Sequence, residues 1–369
     1  MNSGNIYIGL MSGTSIDAVD AVAIKFNADG IVLIDSYSEA IPADLKQQIL
    51  DLCQASSDSL QLLGETDHRL GKLYAQTSLA LISKAQLTST QITAIGCHGQ
   101  TVRHCAPSEG NIPFSLQIGD ANILAAETAI PVVADFRRKD MALGGQGAPL
   151  VPAFHHYAFA DASCHRAIIN IGGISNISLI ASTGVCTGFD IGPGNLLMDL
   201  WSQIHIGTHY DNNGDWAASG EAHQPLLEHM KACAFFALPA PKSTGRELFN
   251  RHWLSTQLAE FPNLAPQDVQ ATLLRLTADT ICEAILHLDL SVDEVYVCGG
   301  GAYNGQLMAE LSRHLPRLNT TEPLGIAPNL VEACAFAWLA KQRLDHDYGN
   351  IATATGAKRQ TVLGGLYLP

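Results

Sequence analysis

Residues 6–26 read IYIGLMSGTSIDAVDAVAIKF, and in them two apolar runs flank a turn rich in Gly, Ser and Thr. Short apolar runs bounded by turn residues are typical of β-strands, so this stretch predicts a strand, a turn and a second strand. The plan returns at residues 165–182, HRAIINIGGISNISLIAS, where one strand runs into glycines and another follows. Because the plan occurs twice, the sequence predicts a duplicated α/β architecture with a cleft between the two copies.

Helical patterns follow each copy. Residues 43–84 and 265–288 place apolar side chains at helical spacing, the second stretch with Pro266 in its first turn. Residues 330–344, LVEACAFAWLAKQRL, predict another, mostly buried helix. Residues 345–360 are small and polar with little periodicity, which favours a mobile loop.

The domain boundary is expected without a long linker, because no Ser, Pro or Gly-rich run separates the copies. The glycine-rich residues 132–154 are the expected crossover. We therefore expect an N-terminal domain of residues 1–132 that is completed by a tail of about residues 350–369. Residues 133–349 form the expected C-terminal domain.

The charge of the chain argues against nucleic acid and membrane partners. Of 369 residues, 21 are Lys or Arg and 35 are Asp or Glu, so the formal charge is −14, and no basic run occurs. The nine cysteines are scattered singly without a CxxC pair, which is the usage of cytoplasmic proteins. The N-terminus has no basic region ahead of an apolar run, so we expect a cytoplasmic protein.

Metal binding by histidine is not expected, although the chain has 14 histidines. The pairs His155-His156 and His98 with His104 lack the i, i+4 spacing that places ligands on one helix face with a carboxylate. Surface, core or substrate-contacting histidines fit these positions better.

Four glycine turns follow predicted strands, at residues 11–20, 170–176, 190–195 and 298–304. Glycine lets the backbone approach a ligand and turn its amides towards it, and strand ends are where α/β folds bind ligands. No turn has the Gly-Lys-Ser/Thr ending of a Walker A loop, and the first strand is not followed by GxGxxG. The turns therefore predict phosphate binding of another kind.

Asp190 stands in one of these turns, between the apolar Phe189 and Ile191 and the following Gly192-Pro193-Gly194. Its carboxylate is expected near the end of a strand. There it serves either as a structural acceptor for turn amides or as a catalytic base, and local sequence leaves both readings open.

Seven motifs, in this order, closely resemble those of the 1,6-anhydro-N-acetylmuramic acid kinase family. The resemblance runs from about residue 6 to the C-terminus, and its long motifs are specific. The motifs are MSGTSIDAVD, GCHGQTVRH, DFRRKDMALGGQGAPLVPAFH, NIGGISN, GFDIGPGN, PKSTGRELFN and VCGGGAYN.

This resemblance implies a fold and a reaction. The family belongs to the acetate and sugar kinase, heat-shock chaperone and actin superfamily, with a duplicated ribonuclease-H-like (actin-like ATPase) fold whose two domains flank an active-site cleft. ATP with Mg²⁺ and a homodimer are implied. The implied reaction hydrolytically opens the 1,6-anhydro ring of anhydro-N-acetylmuramic acid and phosphorylates O6, giving N-acetylmuramic acid 6-phosphate in cell-wall (peptidoglycan) recycling.

The resemblance also assigns residues. Asp190 is the implied base for the attacking water, and Asp17 and Asp20 are implied to hold Mg²⁺, through water, although Asp20 also fits a local capping role. Glu332 has a preference for a helix start as its alternative. The implied sugar contacts are His98, Gln100, Arg137 and Glu332; the implied ATP and phosphate contacts are Gly13, Thr14, Ser15, Ile16, Asp17, Ala18, Val19, Asp20, Gly172, Gly173, Gly192, Gly194, Asn195, Gly299, Gly300 and Gly301.

Two positions depart from the family pattern beside these residues. The family usually has Gly where this chain has Ala18, and alanine tolerates the turn only with a negative φ. The family usually has Thr where this chain has Ile191, so a hydroxyl next to Asp190 is missing.

Two other functions remain open. One is a kinase for a simpler anhydrohexose such as levoglucosan, and the other is an actin-like nucleotide switch that turns over no sugar.

Overall fold

The structure is a computed structural model that describes residues 5–27, 30–53, 59–107, 111–288, 290–315 and 317–369. It divides into two compact units. Unit 1 comprises residues 1–158 and 330–369, and unit 2 comprises residues 159–329.

Unit 1 contains a six-stranded sheet with the order β13-β7-β4-β1-β2-β3. β1, β2 and β3 form an antiparallel meander, and β4 and β7 continue parallel to β1. β13 adds an antiparallel edge, and β5 pairs with β6 in a separate ribbon. The strands of unit 1 are β1 Ile6–Met11, β2 Ala18–Asn27, β3 Gly30–Ala40, β4 Ile92–Cys97, β5 Gln100–Cys105, β6 Phe114–Ile118, β7 Val132–Ala134 and β13 Gly365–Tyr367.

The long helix α11 lies on the sheet of unit 1 at two strand glycines. A Cβ added to Gly9 would lie 1.8 Å from the carbonyl oxygen of Ala333, and one added to Gly96 would lie 1.9 Å from that of Phe336. Glycine at these positions is therefore needed for the close packing of α11 on β1 and β4. The helices of unit 1 are α1 Ala43–Cys53, α2 Leu60–Lys84, α3 Ala121–Thr128, α4 Arg137–Ala142, α5 Val151–Phe159, α11 Val331–Asp345 and α12 Ala352–Thr355, and α5 ends one residue beyond the unit.

Unit 2 contains a five-stranded sheet with the order β10-β9-β8-β11-β12. β8, β9 and β10 form an antiparallel meander, and β11 and β12 continue parallel to β8. Its elements are β8 Arg166–Ile171, β9 Ile174–Ile180, β10 Cys186–Pro193, α6 Leu196–His205, α7 Gln224–Lys231, α8 Arg251–Leu258, α9 Pro266–Leu286, β11 Glu294–Cys298, α10 Gly305–Ser312 and β12 Leu318–Thr320.

The two units share one topology, an antiparallel meander of three strands followed by two strands parallel to the first. Each has its own core: β1 and α2 contribute to that of unit 1, whereas β8 and α9 contribute to that of unit 2. The prediction of a duplicated ribonuclease-H-like α/β fold is thus confirmed. The predicted helices at residues 265–288 and 330–344 are present as α9 and α11; within 43–84, residues 54–58 lie outside the described part of the chain.

The unit boundaries differ from those expected at residues 132 and 349. β7 joins the sheet of unit 1, and the following residues, to 158, remain with that unit. α11 also belongs to unit 1, because its apolar face covers β1 and β4. The boundaries differ because a helical pattern in sequence predicts burial but does not specify which sheet buries it.

The expectation of a mobile loop at residues 345–360 was wrong. The segment contains α12, and Asn350 and Thr355 within it are buried. Its small polar residues form buried hydrogen bonds, which a search for apolar periodicity does not detect. Within the described residues, the helices are too short or too polar to cross a membrane.

Candidate active site

Three glycine turns of unit 2 lie at one edge of its sheet. β8 and β11 are parallel neighbours, so Gly172-Gly173 after β8 and Gly299–Gly301 after β11 lie at the same edge. A Cβ on Gly301 would lie 2.3 Å from Cγ2 of Ile171, so the two turns pack directly against each other. Gly300 instead has 3.6 Å between its Cβ position and Nδ2 of Asn195, which leaves its backbone accessible to a ligand.

The glycine turn at residues 190–195 is hydrogen-bonded to the turn Gly172-Gly173. The amide of Asn195 donates to the carbonyl of Gly172 at 2.8 Å, and that of Gly194 donates to Gly173 at 2.9 Å. A Cβ on Gly194 would lie 2.3 Å from the Gly172 oxygen. These two predicted phosphate contacts therefore direct their amides to the neighbouring turn. The amide of Gly299 likewise donates to the Pro328 carbonyl at 2.9 Å.

Asp190 lies within β10, beside a bulge, rather than at the end of the strand. It pairs with Asn176 of β9, and the register shifts between Asp190 and Gly192. Its side chain is buried, with the residue 5% exposed. The amide of Asp190 donates to the carbonyl of Lys242 at 3.0 Å, and the amide of Thr244 donates to Oδ2 of Asp190, also at 3.0 Å.

Lys242 and Thr244 are therefore site residues to which the sequence assigned no role. They belong to the motif PKSTGRELFN, which contributed to the family resemblance alone. The Thr244 to Asp190 contact joins residues 54 positions apart, so local spacing contains no signal for it. The motif itself was the one signal that marked this segment.

Ile191 stands at the position where the family usually has Thr. Its side chain is 2% exposed and packs in the core of unit 2. A hydroxyl at this position would meet apolar neighbours in that core.

The first glycine turn, in unit 1, has an open side at Gly13. No atom lies within 4 Å of a Cβ built there. The residue with positive φ in this turn is Ile16, at 57°, whereas Ala18 begins β2 and avoids this conformation. Ile16 is 1% exposed, and its burial offsets a conformation that β-branched residues rarely adopt. Val19 is also buried, so its side chain contacts the core rather than a ligand.

The two predicted magnesium contacts differ in their surroundings. Asp17 is exposed, and its Oδ1 pairs with Nζ of Lys46 at 2.6 Å. Asp20 lies in β2 opposite Met11 and Ser38. Burial raises the pKa of Asp20 above its usual value, and a hydrogen bond from Ser38 opposes the shift. A bound cation would stabilise the charged form of Asp20. The Asp17 carboxylate is already paired with the Lys46 ammonium group.

Four predicted sugar contacts lie in unit 1, and two of them, His98 and Arg137, are hydrogen-bonded to each other. His98 follows β4, and its Nε2 accepts hydrogen bonds from Nε and Nη2 of Arg137 at 3.1 and 2.8 Å. Gln100 donates to the carbonyl of Gly13 at 3.5 Å, which brings the first glycine turn to the same region. The ring of Phe336 packs on that of His98 at 4.6 Å, and Glu332 lies one turn earlier on the same face of α11.

His98 is a neutral acceptor at neutral pH. Burial, and secondarily the charge of Arg137, hold its pKa well below the usual value. Because a guanidinium only donates hydrogen bonds, the bonded Nε2 carries no proton and the neutral ring carries its proton on Nδ1. The imidazole thus orients Arg137.

A buried carboxylate, Asp140, supports this arrangement. Its Oδ1 accepts from Nδ2 of Asn350 at 2.6 Å and from Oγ1 of Thr355 at 2.7 Å, while its Oδ2 accepts from the amide of Gly147 at 2.9 Å. Nη1 of Arg137 donates to the Gly147 carbonyl at 2.8 Å. The sequence assigned Asp140 no role, because its partners lie 210 and 215 positions away.

The repeated topology, with glycine turns at strand ends, defines the class of protein by its fold, a duplicated ribonuclease-H-like fold. The family model described as Anhydro-N-acetylmuramic acid kinase matches residues 5–369. The chain belongs to this family.

Relatives in several bacteria carry the same name. Anhydro-N-acetylmuramic acid kinase of Shewanella loihica is 50% identical over 368 residues, covering 99% of each chain. That of Pasteurella multocida is 49% identical over 364 residues, covering 98% of this chain and 96% of its own. A more distant solved structure, the activator of the 2-hydroxyisocaproyl-CoA dehydratase from Clostridium difficile with bound ADPNP, has a TM-score of 0.47 at 13% identity, covering 92% of this chain and 96% of its own.

Proposed function

We propose that the protein transfers the γ-phosphoryl group of ATP to anhydro-N-acetylmuramic acid while water opens the 1,6-anhydro ring. The product is N-acetylmuramic acid 6-phosphate, and the reaction belongs to peptidoglycan recycling. The observation that carries the proposal is the buried Asp190 carboxylate, oriented by the Thr244 amide at the bulge in β10.

Asp190 acts as the general base. The oxygen of water attacks the anomeric carbon, and a proton of that water passes to the Asp190 carboxylate. The bond between the anomeric carbon and the bridging oxygen breaks, and its electron pair remains on the bridging oxygen. That oxygen, now O6, attacks the γ-phosphorus, and ADP leaves. A base held at one orientation by a backbone hydrogen bond is suited to this step, because proton transfer requires hydrogen-bond reach.

The glycine turns supply the phosphate contacts. The heavy atom nearest to a Cβ built on Gly172, or on Gly300, would lie 3.6 Å away, so a phosphate approaches the backbone of both residues closely. Gly194 and Gly301 support these turns from behind. Donors fixed before the reaction stabilise charge on the transferring group without reorganisation.

Asp20 is the residue of unit 1 best suited to hold Mg²⁺, through water. Its carboxylate is half-buried and its pKa is raised, both of which favour a bound cation, whereas the Asp17 carboxylate is already paired with Lys46. The ion, when bound, neutralises charge on the phosphate oxygens. Magnesium binds commonly through one or two carboxylates together with water and phosphate, so one protein carboxylate suffices.

His98, Gln100, Arg137 and Glu332 contact the sugar. Arg137 carries the positive charge that the lactyl carboxylate requires, and His98 and the Gly147 carbonyl fix its guanidinium. A sugar without the lactyl and acetamido groups, such as levoglucosan, loses this contact. We also propose a cytoplasmic homodimer; none of the nine cysteines forms a disulfide, as the reducing cytoplasm favours.

The test is ATP-dependent turnover of 1,6-anhydro-N-acetylmuramic acid in oxygen-18 water, read by product mass. The unmodified protein is expected to give a 6-phosphorylated sugar labelled at C1. Asp190→Asn is expected to lower kcat by about 10²- to 10⁴-fold. ATP binding, measured by calorimetry, is expected to stay within twofold.

A matched control is Asp293→Asn. The carboxylate of Asp293 also accepts a backbone amide hydrogen, from His165 at 2.8 Å, but this residue is exposed. Its variant is expected to keep full activity. Equal turnover of levoglucosan would overturn the muramic assignment, and ATP hydrolysis unaffected by any sugar would favour the nucleotide switch.

A further inference from the structure

The segment Lys242–Thr244 encloses the backbone and the carboxylate of Asp190. The carbonyl of Lys242 accepts the Asp190 amide, and the Thr244 amide donates to Oδ2. The first bond fixes the backbone of Asp190, and the second holds one oxygen of its carboxylate. The segment therefore determines where the basic oxygens point.

The side chain of Lys242 holds this segment against residues 235 and 236. Its Nζ donates to the carbonyls of Phe235 and Phe236, each at 3.2 Å, and lies 4.7 Å from the centre of the Phe235 ring. Burial lowers the pKa of Lys242, and the charge of Asp190 acts in the opposite direction. The ammonium group thus remains on the protein side of the segment, where it holds the main chain in place.

The hydroxyl of Thr244 is a second polar group on the residue whose amide contacts this carboxylate. Its Oγ1 is buried and, across the described residues, has no hydrogen-bond partner. A buried hydroxyl is costly unless it is paired, so a partner from outside the chain is expected.

We propose that Thr244 is a positioning residue for the attacking water, which its hydroxyl and Asp190 hold together. This inference rests on the proposed function. Asp190 accepts one hydrogen of the water, and the Thr244 hydroxyl bonds the same molecule at a second point. The water oxygen retains a lone pair for the anomeric carbon, and its proton still passes to Asp190. Thr244 thus fixes the direction of attack and takes no proton itself.

The test compares Thr244→Val with Thr244→Ser. Valine keeps the shape and the backbone amide but removes the hydroxyl, and it is expected to lower kcat about 10- to 100-fold, because misorientation of a reacting group has this effect. KM for ATP and for the anhydro-sugar is expected to change less than threefold. Serine is expected to restore kcat to within about threefold of the unmodified protein.

Thr321→Val is the matched control. Thr321 Oγ1 is also buried in unit 2 without a partner among the described residues. Its variant is expected to keep kcat. In the Asp190→Asn background, Thr244→Val is expected to cost less than threefold, because both residues act on one water. A purely structural role would instead give independent losses in the two variants.

The outcomes separate this inference from the proposed function. If the unmodified protein forms no labelled product, the proposed function fails and the inference fails with it. If labelled product forms and Thr244→Val retains its kcat, or Thr244→Ser fails to restore it, only the role of Thr244 is overturned.

Discussion

The two units hold equivalent turns by different means. In unit 1 the link from β1 to β2 spans residues 12–17, and side chains add to its backbone hydrogen bonds: Gln100 donates to the Gly13 carbonyl, and the Ser12 hydroxyl bonds that of Tyr74 at 2.8 Å. In unit 2 the link from β8 to β9 is Gly172-Gly173, and backbone amides hold it. One topology thus supports two strategies, which respond differently to substitution.

Side chains also organise the other loop of the candidate site in unit 1. There the Asp140 carboxylate joins Gly147 to Asn350 and Thr355. In unit 2 the corresponding precision comes from close packing of glycines. We expect unit 1 to be sensitive to the loss of polar groups and unit 2 to the addition of a methyl group.

The largest effect is expected for Asp140→Asn. The amide cannot accept all three hydrogen bonds and places a donor against a buried donor, so unit 1 should lose about 3 kcal/mol of stability or more. Peptide-resolved hydrogen exchange in urea should show the loss in unit 1 and leave unit 2 unchanged. Asp135→Asn is the control, since Asp135 forms a partly exposed pair with Arg138. Equal losses in the two variants would contradict a central role for Asp140.

The next effect is expected for Gly194→Ala. Its Cβ would lie 2.3 Å from the Gly172 carbonyl oxygen, so the backbone must move, at a cost of about 2–3 kcal/mol in unit 2. Gly13→Ala meets no atom within 4 Å and should leave stability unchanged while it weakens ATP binding. Thermal unfolding and calorimetric ATP titration measure both. A stable Gly194→Ala variant would show that this turn relaxes more readily than the comparison implies.

A pH effect of about 2 kcal/mol is expected from His104 in unit 1. Burial, and secondarily Arg137, lower its pKa to about 4. The unfolded chain therefore takes up the proton first, near the ordinary pKa of about 6.5, and stability falls as the pH drops from there towards 4. Urea unfolding at pH 7 and pH 5 should show this loss. His104→Asn, which retains a polar group towards Ser115, should show a smaller pH dependence, and an equal one would refute the assignment.

The smallest effect is expected for Lys46→Met. The partly exposed pair with Asp17 contributes at most about 0.5 kcal/mol to stability, since solvent screens such pairs.

Substitution of the two aspartates is expected to have different effects on the requirement for Mg²⁺. Asp20→Asn should raise the Mg²⁺ concentration for half-maximal activity about tenfold, and Asp17→Asn should change it little. The reverse ranking would make Asp17 the more important contact.

The sequence predicted those features that local pattern determines. Alternating and continuous apolar runs located β1, β2 and β8, and helical spacing located α9. The glycine turns, with Asp190 in one of them, were located by their place after predicted strands. Motif resemblance assigned their roles, which remain predictions. Asp140 and Thr244 were missed because each is defined by distant partners, and polar contacts leave no periodicity. The same reason explains why residues 345–360 looked mobile, although Asn350 and Thr355 bond Asp140.

The partners of Asp140 have a consequence for biosynthesis. Residues 159–329 form one continuous stretch of chain, so unit 2 has all of its strands before the ribosome reaches α11. Unit 1 must wait for residues 330–369, whose first helix covers β1 and β4 and whose Asn350 and Thr355 secure the Gly147 loop. A nascent chain therefore completes the Gly147 loop last, and a premature stop near residue 349 would leave unit 1 unfinished although all of unit 2 had been made.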